Sequence, residues 1–319
     1  MNKIRKYLGF GVSALLIGTL LFVTIRAQDV RDWLILRDYQ PSQRIEQIAE
    51  STTMTAEGKK LFYVHDPRIE SQSEFNRDCT TLEESLVLGC YNGVHIYIFD
   101  VSDTRLSGVH EVTAAHEMLH AAYDRLSSKE RQRVDDMTAK QLQKLSNDRI
   151  QEVVKSYRSR DPAVVPNELH SIFGSELKDL DPELEAYYSQ YFSNRSLIVG
   201  FSESYEQVFT SIHSQVERYD SQLLLLKAQI DQNELDLEQR AESISAQKVN
   251  LNQLAESGQA SKYNALVPGY NEQIEQYNAD VEAYKLRIQE YNDTVKTRND
   301  LTLEQNSLVK SLDSRATEL

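Results

Sequence analysis

The chain has 319 residues, of which 26 % are charged and 40 % are apolar, so its composition is that of a folded protein with room for two domains. Its formal net charge is −14, and its isoelectric point is about 5.0. A chain this acidic repels the phosphate backbone of nucleic acids, so we expect no nucleic-acid partner.

The N-terminus carries a long apolar segment. Residues 7–25 contain no charged side chain, and three basic residues precede them: Lys3, Arg5 and Lys6. Nineteen residues in a helix span about 28 Å, close to the hydrocarbon thickness of a bilayer. The segment is longer than the core of a cleavable signal peptide, although Ala27 offers a weak cleavage site. We therefore favour an uncleaved anchor: residues 1–27 are predicted to be a cytoplasmic tip and a transmembrane helix, with everything after them extracytoplasmic.

Residues 28–202 have the mixed pattern of an α+β domain. Three segments are predicted to be strands: residues 61–67, 85–91 and 94–101. Asn92-Gly93 separates the last two and suits a two-residue type I′ turn, which predicts a β-hairpin. The only two cysteines are Cys79 and Cys90. In an oxidising extracytoplasmic space they are expected to form a disulfide, and the absence of a CxxC pair argues against a zinc role.

Helices are predicted before and after these strands along the chain. The predicted segments are about 41–49, a further short helix after it, 111–126, 128–145, 149–158 and a helix with Pro182 in its first turn. Ser127 and Glu130 form a capping box at the start of one of them. The apolar residues of segment 111–126 recur every three or four positions, which predicts that one face of this helix packs in the core.

Residues 203–319 have a heptad pattern. Tyrosines recur at intervals of seven, and Val or Ile follows each of them four residues later: Tyr263, Tyr270, Tyr277, Tyr284 and Tyr291. Residues 256–270 contain Gly and Pro and are predicted to break the helix. The pattern predicts an antiparallel coiled-coil hairpin. Coiled coils of this kind self-associate or dock partners, here a second copy or an envelope protein.

The stretch "HEMLH" carries the strongest chemical signal. His116 and His120 are four residues apart and project side by side from a helix, so both imidazoles can bind one metal ion. Glu117 lies on the same turn and is placed to act as general base toward a water activated by zinc. Within "PNELHSIFGSE", the candidates for a third ligand are Glu168, His170 and Glu176.

These two motifs resemble those of the zincin metallopeptidases, in the glutamate-ligand (thermolysin-like, gluzincin) branch. In that branch an Asn-Glu-x-x-Ser stretch on a later helix supplies the third ligand, and residues 167–171 match it. The resemblance therefore implies Zn²⁺ as the cofactor, with His116, His120 and Glu168 as its ligands and Glu117 as the catalytic base. It covers about 65 residues and says nothing about the substrate.

The sequence departs from the branch after the serine. Ile172 stands where an acidic residue usually orients a ligand histidine, so that carboxylate is expected from Glu176 or Asp179. Asn167 is a further candidate for a supporting role. A hydrogen-bond donor for the reaction's oxyanion is also expected near the zinc. Its candidates are His170, Tyr187, Tyr188 and Tyr191.

Together these features predict a membrane-anchored, outward-facing zinc endopeptidase that cleaves protein or peptide substrates. The apolar strand before the active helix is expected to pair with an extended peptide. The alternative is a catalytically silent zincin-like scaffold of the cell envelope that acts through its coiled coil. The presence of Glu117 argues for the enzyme, whereas Ile172 and the length of the coiled coil argue for the scaffold.

Overall fold

The computed structural model describes residues 27–80 and 87–315. The predicted membrane anchor at 7–25 and the first residues of the predicted strand 85–91 lie outside these ranges. Within the described ranges, no helix is both long enough and apolar enough to cross a membrane.

The described chain is a mostly helical α+β fold with one small sheet. The helices are α1 (Ala27–Asp38), α2 (Gln43–Ser51), α3 (Ala56–Val64), α4 (Gln72–Asp78), α5 (Val109–Asp124), α6 (Ser128–Lys144), α7 (Asp148–Arg160), α8 (Val165–Ser175), α9 (Pro182–Tyr188), α10 (Arg195–Glu256) and α11 (Ala260–Leu312). The helices predicted near 41–49, 111–126, 128–145 and 149–158 are confirmed to within two residues at each end. The capping box of Ser127 and Glu130 is also confirmed.

The sheet has three short strands in the order β1-β3-β2. These are β1 (Arg68–Glu70), β2 (Gly89–Tyr91) and β3 (Ile96–Phe99). β3 lies in the middle, parallel to β1 and antiparallel to β2. All four residues of β3 are buried. The predicted disulfide is confirmed: Cys79, at the end of α4, is bonded to Cys90 in β2.

The strand predicted at 61–67 is wrong. This apolar run is the second half of helix α3, whose N-cap Thr55 accepts a hydrogen bond from the backbone of Gly58. Leu61, Phe62 and Val64 are buried from the helix. A short apolar run fits a buried helix as well as a buried strand, and the N-cap decides for the helix. The first strand begins only at Arg68.

The predicted two-residue turn is also wrong. β2 and β3 are paired, but four residues connect them, since Tyr91 lies opposite Ile96. The side chain of Asn92 accepts hydrogen bonds from the backbone of Val94 and His95 and so closes a wider loop. Gly93 has a φ of +87°, whereas Asn92 is not among the residues with positive φ. A type I′ turn requires positive φ at both positions.

Helix α5 is the centre of the first of two compact units, whose described residues are 27–80, 87–208 and 308–315. It packs against α8 and also touches α2, α3, β2 and β3. Ala114, Ala115, Met118 and Leu119 of α5 are completely buried. A side chain at Gly174 of α8 would overlap Leu119, so this glycine lets the two helices approach closely.

The second compact unit, residues 209–307, consists of parts of α10 and α11. Ion pairs join Asp220 to Arg298 and Arg240 to Asp280, so the two helices run antiparallel. Only three residues reverse the chain between them, and among these Gly258 has a φ of +72°. The expected break over 256–270 is therefore too long: Pro268 lies inside α11, where it removes one backbone donor without ending the helix.

Candidate metal centre

Two histidines of α5 point into one cleft. His116 and His120 lie one turn apart, and their Nε2 atoms are 3.0 Å from each other. The opposite side of the helix is fixed by its buried apolar residues, including Ala115 and Leu119. The core packing of α5 therefore determines the direction in which the imidazoles point.

Glu168 reaches the same point from α8. Its carboxylate oxygens lie 3.8 Å from His116 Nε2 and 3.7 Å from His120 Nε2. One donor atom from each of the three side chains lies within 4.8 Å of the other two. Among the described residues, this is the only cluster of three or more His, Cys, Asp or Glu side chains with metal-binding spacing. The two motifs, 47 residues apart, thus meet because α5 and α8 pack together.

The outer nitrogens of the two histidines also have polar neighbours. Nδ1 of His120 donates a hydrogen bond to Oδ1 of Asn167 at 3.0 Å. Nδ1 of His116 faces Oε1 of Glu176 at 3.9 Å. These contacts favour protons on both Nδ1 atoms, which leaves both Nε2 lone pairs directed into the cleft. Asn167 and Glu176 are therefore not in the cluster of three, and they orient its histidines instead.

Glu176 is itself held by an arginine that sequence reasoning missed. Arg149 of α7 contacts Oε2 of Glu176 at 2.6 Å and Oε1 of Glu206 at 2.9 Å. Glu176 is thus placed to replace the acidic residue that Ile172 displaces from the motif. No contact of the Asp179 side chain with the histidines is found among the described residues, and its backbone carbonyl accepts from Gln141.

Burial keeps the first histidine neutral. Removal from water, together with the nearby His120 and His170, holds the pKa of His116 well below its usual value of 6.5. A neutral imidazole is the form that binds a metal ion.

Glu117 is buried beside the cluster, against strand β2. A Cβ atom added at Gly89 would lie 2.9 Å from Oε1 of Glu117 and 2.5 Å from Cγ2 of Thr113. Only glycine therefore allows the strand to pass this close to the carboxylate. No pattern in the sequence marks this role of Gly89.

Replacement of Gly89 by alanine is expected to displace Glu117 without touching the three clustered side chains. If the protein is the peptidase expected from the sequence, Gly89→Ala should lower its cleavage rate by about tenfold or more, because general-base catalysis requires the carboxylate at hydrogen-bond distance from the proton it removes. Zinc content, measured by atomic absorption, should stay unchanged. Gly200→Ala is the matched control, since an added Cβ there meets no atom within 4 Å. An unchanged rate in Gly89→Ala would contradict this role of the glycine.

Two cavities flank His116 and Glu117. The first, which we call the apolar cavity, has a volume of about 200 Å³. Its walls include Val112, Val153, Tyr157, Ile172 and Tyr205. The second, the polar cavity, has a volume of about 600 Å³. Its walls include Tyr91, Asn92, Arg131, Tyr157 and Asn167. His116, Glu117, Glu168 and Gly89 line both cavities, so the cluster lies where they meet.

The predicted donors to an oxyanion lie elsewhere. His170 is completely buried, and burial together with His120 lowers its pKa to about 3. Its Nε2 pairs with the hydroxyl of Tyr187, which also contacts Tyr191, and the hydroxyl of Tyr188 donates to the carbonyl of His170. None of these four residues lines either cavity. They form a separate polar cluster, and His170 is not part of the cluster of His116, His120 and Glu168.

Nothing in the sequence singles out Tyr157 as a residue of the site. It belongs to α7 and lines both cavities, on the same helix as Arg149. With 17 tyrosines in the chain, only the packing of α7 against α8 distinguishes it.

Comparison with known proteins does not identify a family for this chain. No protein-family model, no curated protein and no solved structure matches the chain.

Proposed function

We propose that the protein is a zinc metalloendopeptidase with a zincin-like, glutamate-ligand site. The observation that carries this proposal is the convergence of His116, His120 and Glu168, with Glu117 beside them in the cleft. Two histidines and a glutamate are a known ligand set of catalytic zinc sites, in which a fourth position stays open.

The donor set fits the ion. Two nitrogens bound to one zinc at about 2.0–2.1 Å stand roughly 3.3 Å apart in a tetrahedral shell. The Nε2 atoms of His116 and His120 are 3.0 Å apart, and the carboxylate of Glu168 lies 3.7 and 3.8 Å from them. Two lone pairs and a carboxylate this close repel one another unless a cation lies between them. A zinc ion bound there supplies Lewis-acid chemistry, because it acidifies water and polarises a carbonyl oxygen.

The protein's own residues then perform the proton transfers. Glu117 accepts a proton from the water that attacks the peptide carbonyl and passes it to the leaving amine nitrogen. Asn167 and Glu176 hold the ligand histidines in the required orientation and tautomer. Tyr157 lines both cavities, and we propose that its hydroxyl donates to the oxygen on which negative charge develops.

Strand β2 is the proposed docking edge for the substrate. The strand before the active helix was expected to bind the peptide, but that strand is β3 and it lies between the other two. β2 is the outer strand on this side of the described sheet, and its residue Gly89 lines both cavities. An extended peptide that pairs with β2 would run past Glu117, with side chains entering the two cavities.

A direct test combines metal analysis with a cleavage assay on the full-length protein in detergent. We expect about one zinc per chain, cleavage of a peptide library, loss of cleavage on chelation and recovery with added Zn²⁺. Stoichiometric zinc without cleavage of any peptide would favour the scaffold function. No zinc at all would reject the peptidase.

We also propose that the second unit is an antiparallel coiled-coil hairpin that binds a second copy or an envelope protein. Two cross-helix ion pairs and a contact between Gln247 and Gln273 support this. All three pairs fit nearly the same antiparallel alignment of the two helices. The heptad tyrosines are half-buried along α11, as expected for a packed seam.

A fragment of residues 206–319 tests whether this unit is independent. We expect high helicity and a cooperative thermal transition by circular dichroism, with or without zinc, since side chains of the two helices pair at three separate levels. The double variant Asp220→Ala/Asp280→Ala removes both ion pairs and should lower the melting temperature by a few degrees only. A random-coil spectrum would contradict the heptad interpretation.

The proposed location is a membrane, with the metal centre and the helical pair on the extracytoplasmic side. The charge distribution around residues 7–25 supports this orientation. The Cys79–Cys90 disulfide supports an oxidising compartment.

A further inference from the structure

Helix α1 buries the wrong kind of residue for a water-exposed helix. Its only buried residue is an aspartate, Asp32, which is 1 % exposed. Its large apolar side chains remain in solvent: Val30 is 39 % exposed, Trp33 60 % and Leu34 49 %. A surface helix of a soluble protein normally shows the reverse pattern, with apolar residues toward the core and charges outside.

A buried ion pair fixes this orientation. The guanidinium of Arg125 contacts both oxygens of Asp32, at 2.6 and 3.2 Å. Gln28 donates to the same carboxylate at 3.2 Å, and Lys60 lies 3.6 Å from it. Arg125 is the C-cap of α5, so α1 is attached to the end of the helix that carries the two ligand histidines. A two-point contact of this kind restricts rotation of α1 about its axis.

Three of the four exposed apolar residues of α1 lie opposite this contact, and only Ile35 does not. At 100° per residue, positions 30, 33, 34 and 37 fall within an arc of about 100°, and position 32 lies on the far side of the helix. Arg37 stacks on the Trp33 ring, with its guanidinium carbon 5.6 Å from the ring centroid. We call the four residues Val30, Trp33, Leu34 and Arg37 the outer face of α1.

We propose that the outer face of α1 lies in the lipid–water interface of the membrane and docks the catalytic unit on the bilayer surface. The apolar segment 7–25 ends two residues before α1 begins, which places the start of the helix at the membrane if that segment is inserted. Tryptophan favours this interface because its ring is apolar and its N–H is polar, and arginine can extend its charge toward the phosphates. The proposal rests on the predicted anchor and not on the zinc chemistry.

A protein partner fits the outer face less well. Complete burial of the three apolar side chains would remove on the order of 300 Å² from water. A stable protein interface needs about 800 Å² on each partner. A small apolar face that continues from a membrane segment is sufficient for an interfacial helix, because the anchor has already brought it to the lipid.

Trp33 makes the proposal measurable, since it is the only tryptophan of the chain. The full-length protein is reconstituted into phosphatidylcholine vesicles, with and without lipids brominated near the headgroup end of their acyl chains. Bromine quenches tryptophan on contact, and interfacial helices insert about 5–10 Å, so we expect about a twofold loss of fluorescence. Equal fluorescence in the two vesicle types would overturn the proposal, as would failure of the protein to float with the vesicles.

Three variants separate lipid contact from chance collision. Trp33→Phe combined with Lys155→Trp moves the only tryptophan to a polar position of α7, where the native side chain is 76 % exposed. Its fluorescence should be the same in both vesicle types. Val30→Ser combined with Leu34→Ser should reduce the quenching of Trp33, whereas Leu197→Ser, an exposed apolar position on α10, should not. If Trp33 is shielded from acrylamide but not quenched by bromine, a protein covers the face and the proposal is wrong.

Discussion

Glu117→Gln is expected to abolish peptide cleavage while zinc content stays unchanged. The amide has nearly the shape of the carboxylate, so it fits the space beside Gly89 and leaves His116, His120 and Glu168 in place. It cannot accept the proton of the attacking water. Loss of general-base catalysis is worth about 10²–10⁴-fold in rate, and this variant should fall in that range.

The measurement pairs initial cleavage rates with zinc analysis of the same sample. Glu111→Gln is the matched control, because Glu111 lies on the same helix in its first turn and lines neither cavity. Its rate should equal that of the unaltered protein. A Glu117→Gln variant with normal activity would show that another group removes the proton, and the proposed mechanism would then be wrong.

The parts of the molecule that local signals determine were predictable from the sequence. An i, i+4 histidine pair on an amphipathic segment fixes both the helix and the side on which the pair projects, and α5 agrees with this. The capping box places the start of α6 because two side chains satisfy the first free backbone donors. Two cysteines in an oxidising space leave one possible bridge.

Segments with two competing local solutions were not predictable. Residues 61–64 are apolar and suit either a helix or a strand, and the cap at Thr55 decided the outcome. Asn92-Gly93 suits a tight turn, but the Asn92 side chain closes a longer loop instead. In both places the hydrogen bonds of one side chain outweigh the residue pattern.

The surroundings of the metal centre depend on packing between distant segments. Arg149 and Tyr157 come from α7, and Gly89 comes from β2, so neither motif contains them. Tyr157 precedes Glu168 by 11 residues and lines both cavities, whereas Tyr187 and Tyr188 follow it by 19 and 20 residues and point into the core around His170. The packing of the helices decides which of these tyrosines lines the cleft.

The second large effect expected is loss of zinc from His120→Ala and Glu168→Ala. Each variant removes one of the three proposed protein ligands of the ion. We expect the zinc affinity to fall by more than the roughly 10–100-fold typical when a hydrogen-bond partner of a ligand is removed. Asn167→Ala and Glu176→Ala remove only such partners, of His120 and His116, and should stay within that smaller range. Competition with a fluorescent zinc chelator measures all four affinities.

Asp179→Ala is the matched control among the acidic residues near α8, because its contact with Gln141 uses the backbone carbonyl, which the substitution keeps. Its zinc affinity should be unchanged. If Glu168→Ala keeps its zinc and Glu176→Ala loses it, the third ligand lies eight residues further along the chain than proposed. Geometry favours Glu168, since its two oxygens approach both Nε2 atoms, whereas Glu176 approaches Nδ1 of His116 and is already paired with Arg149. A carboxylate neutralised by an arginine is the weaker ligand of the two, because it must give up that ion pair to bind the metal.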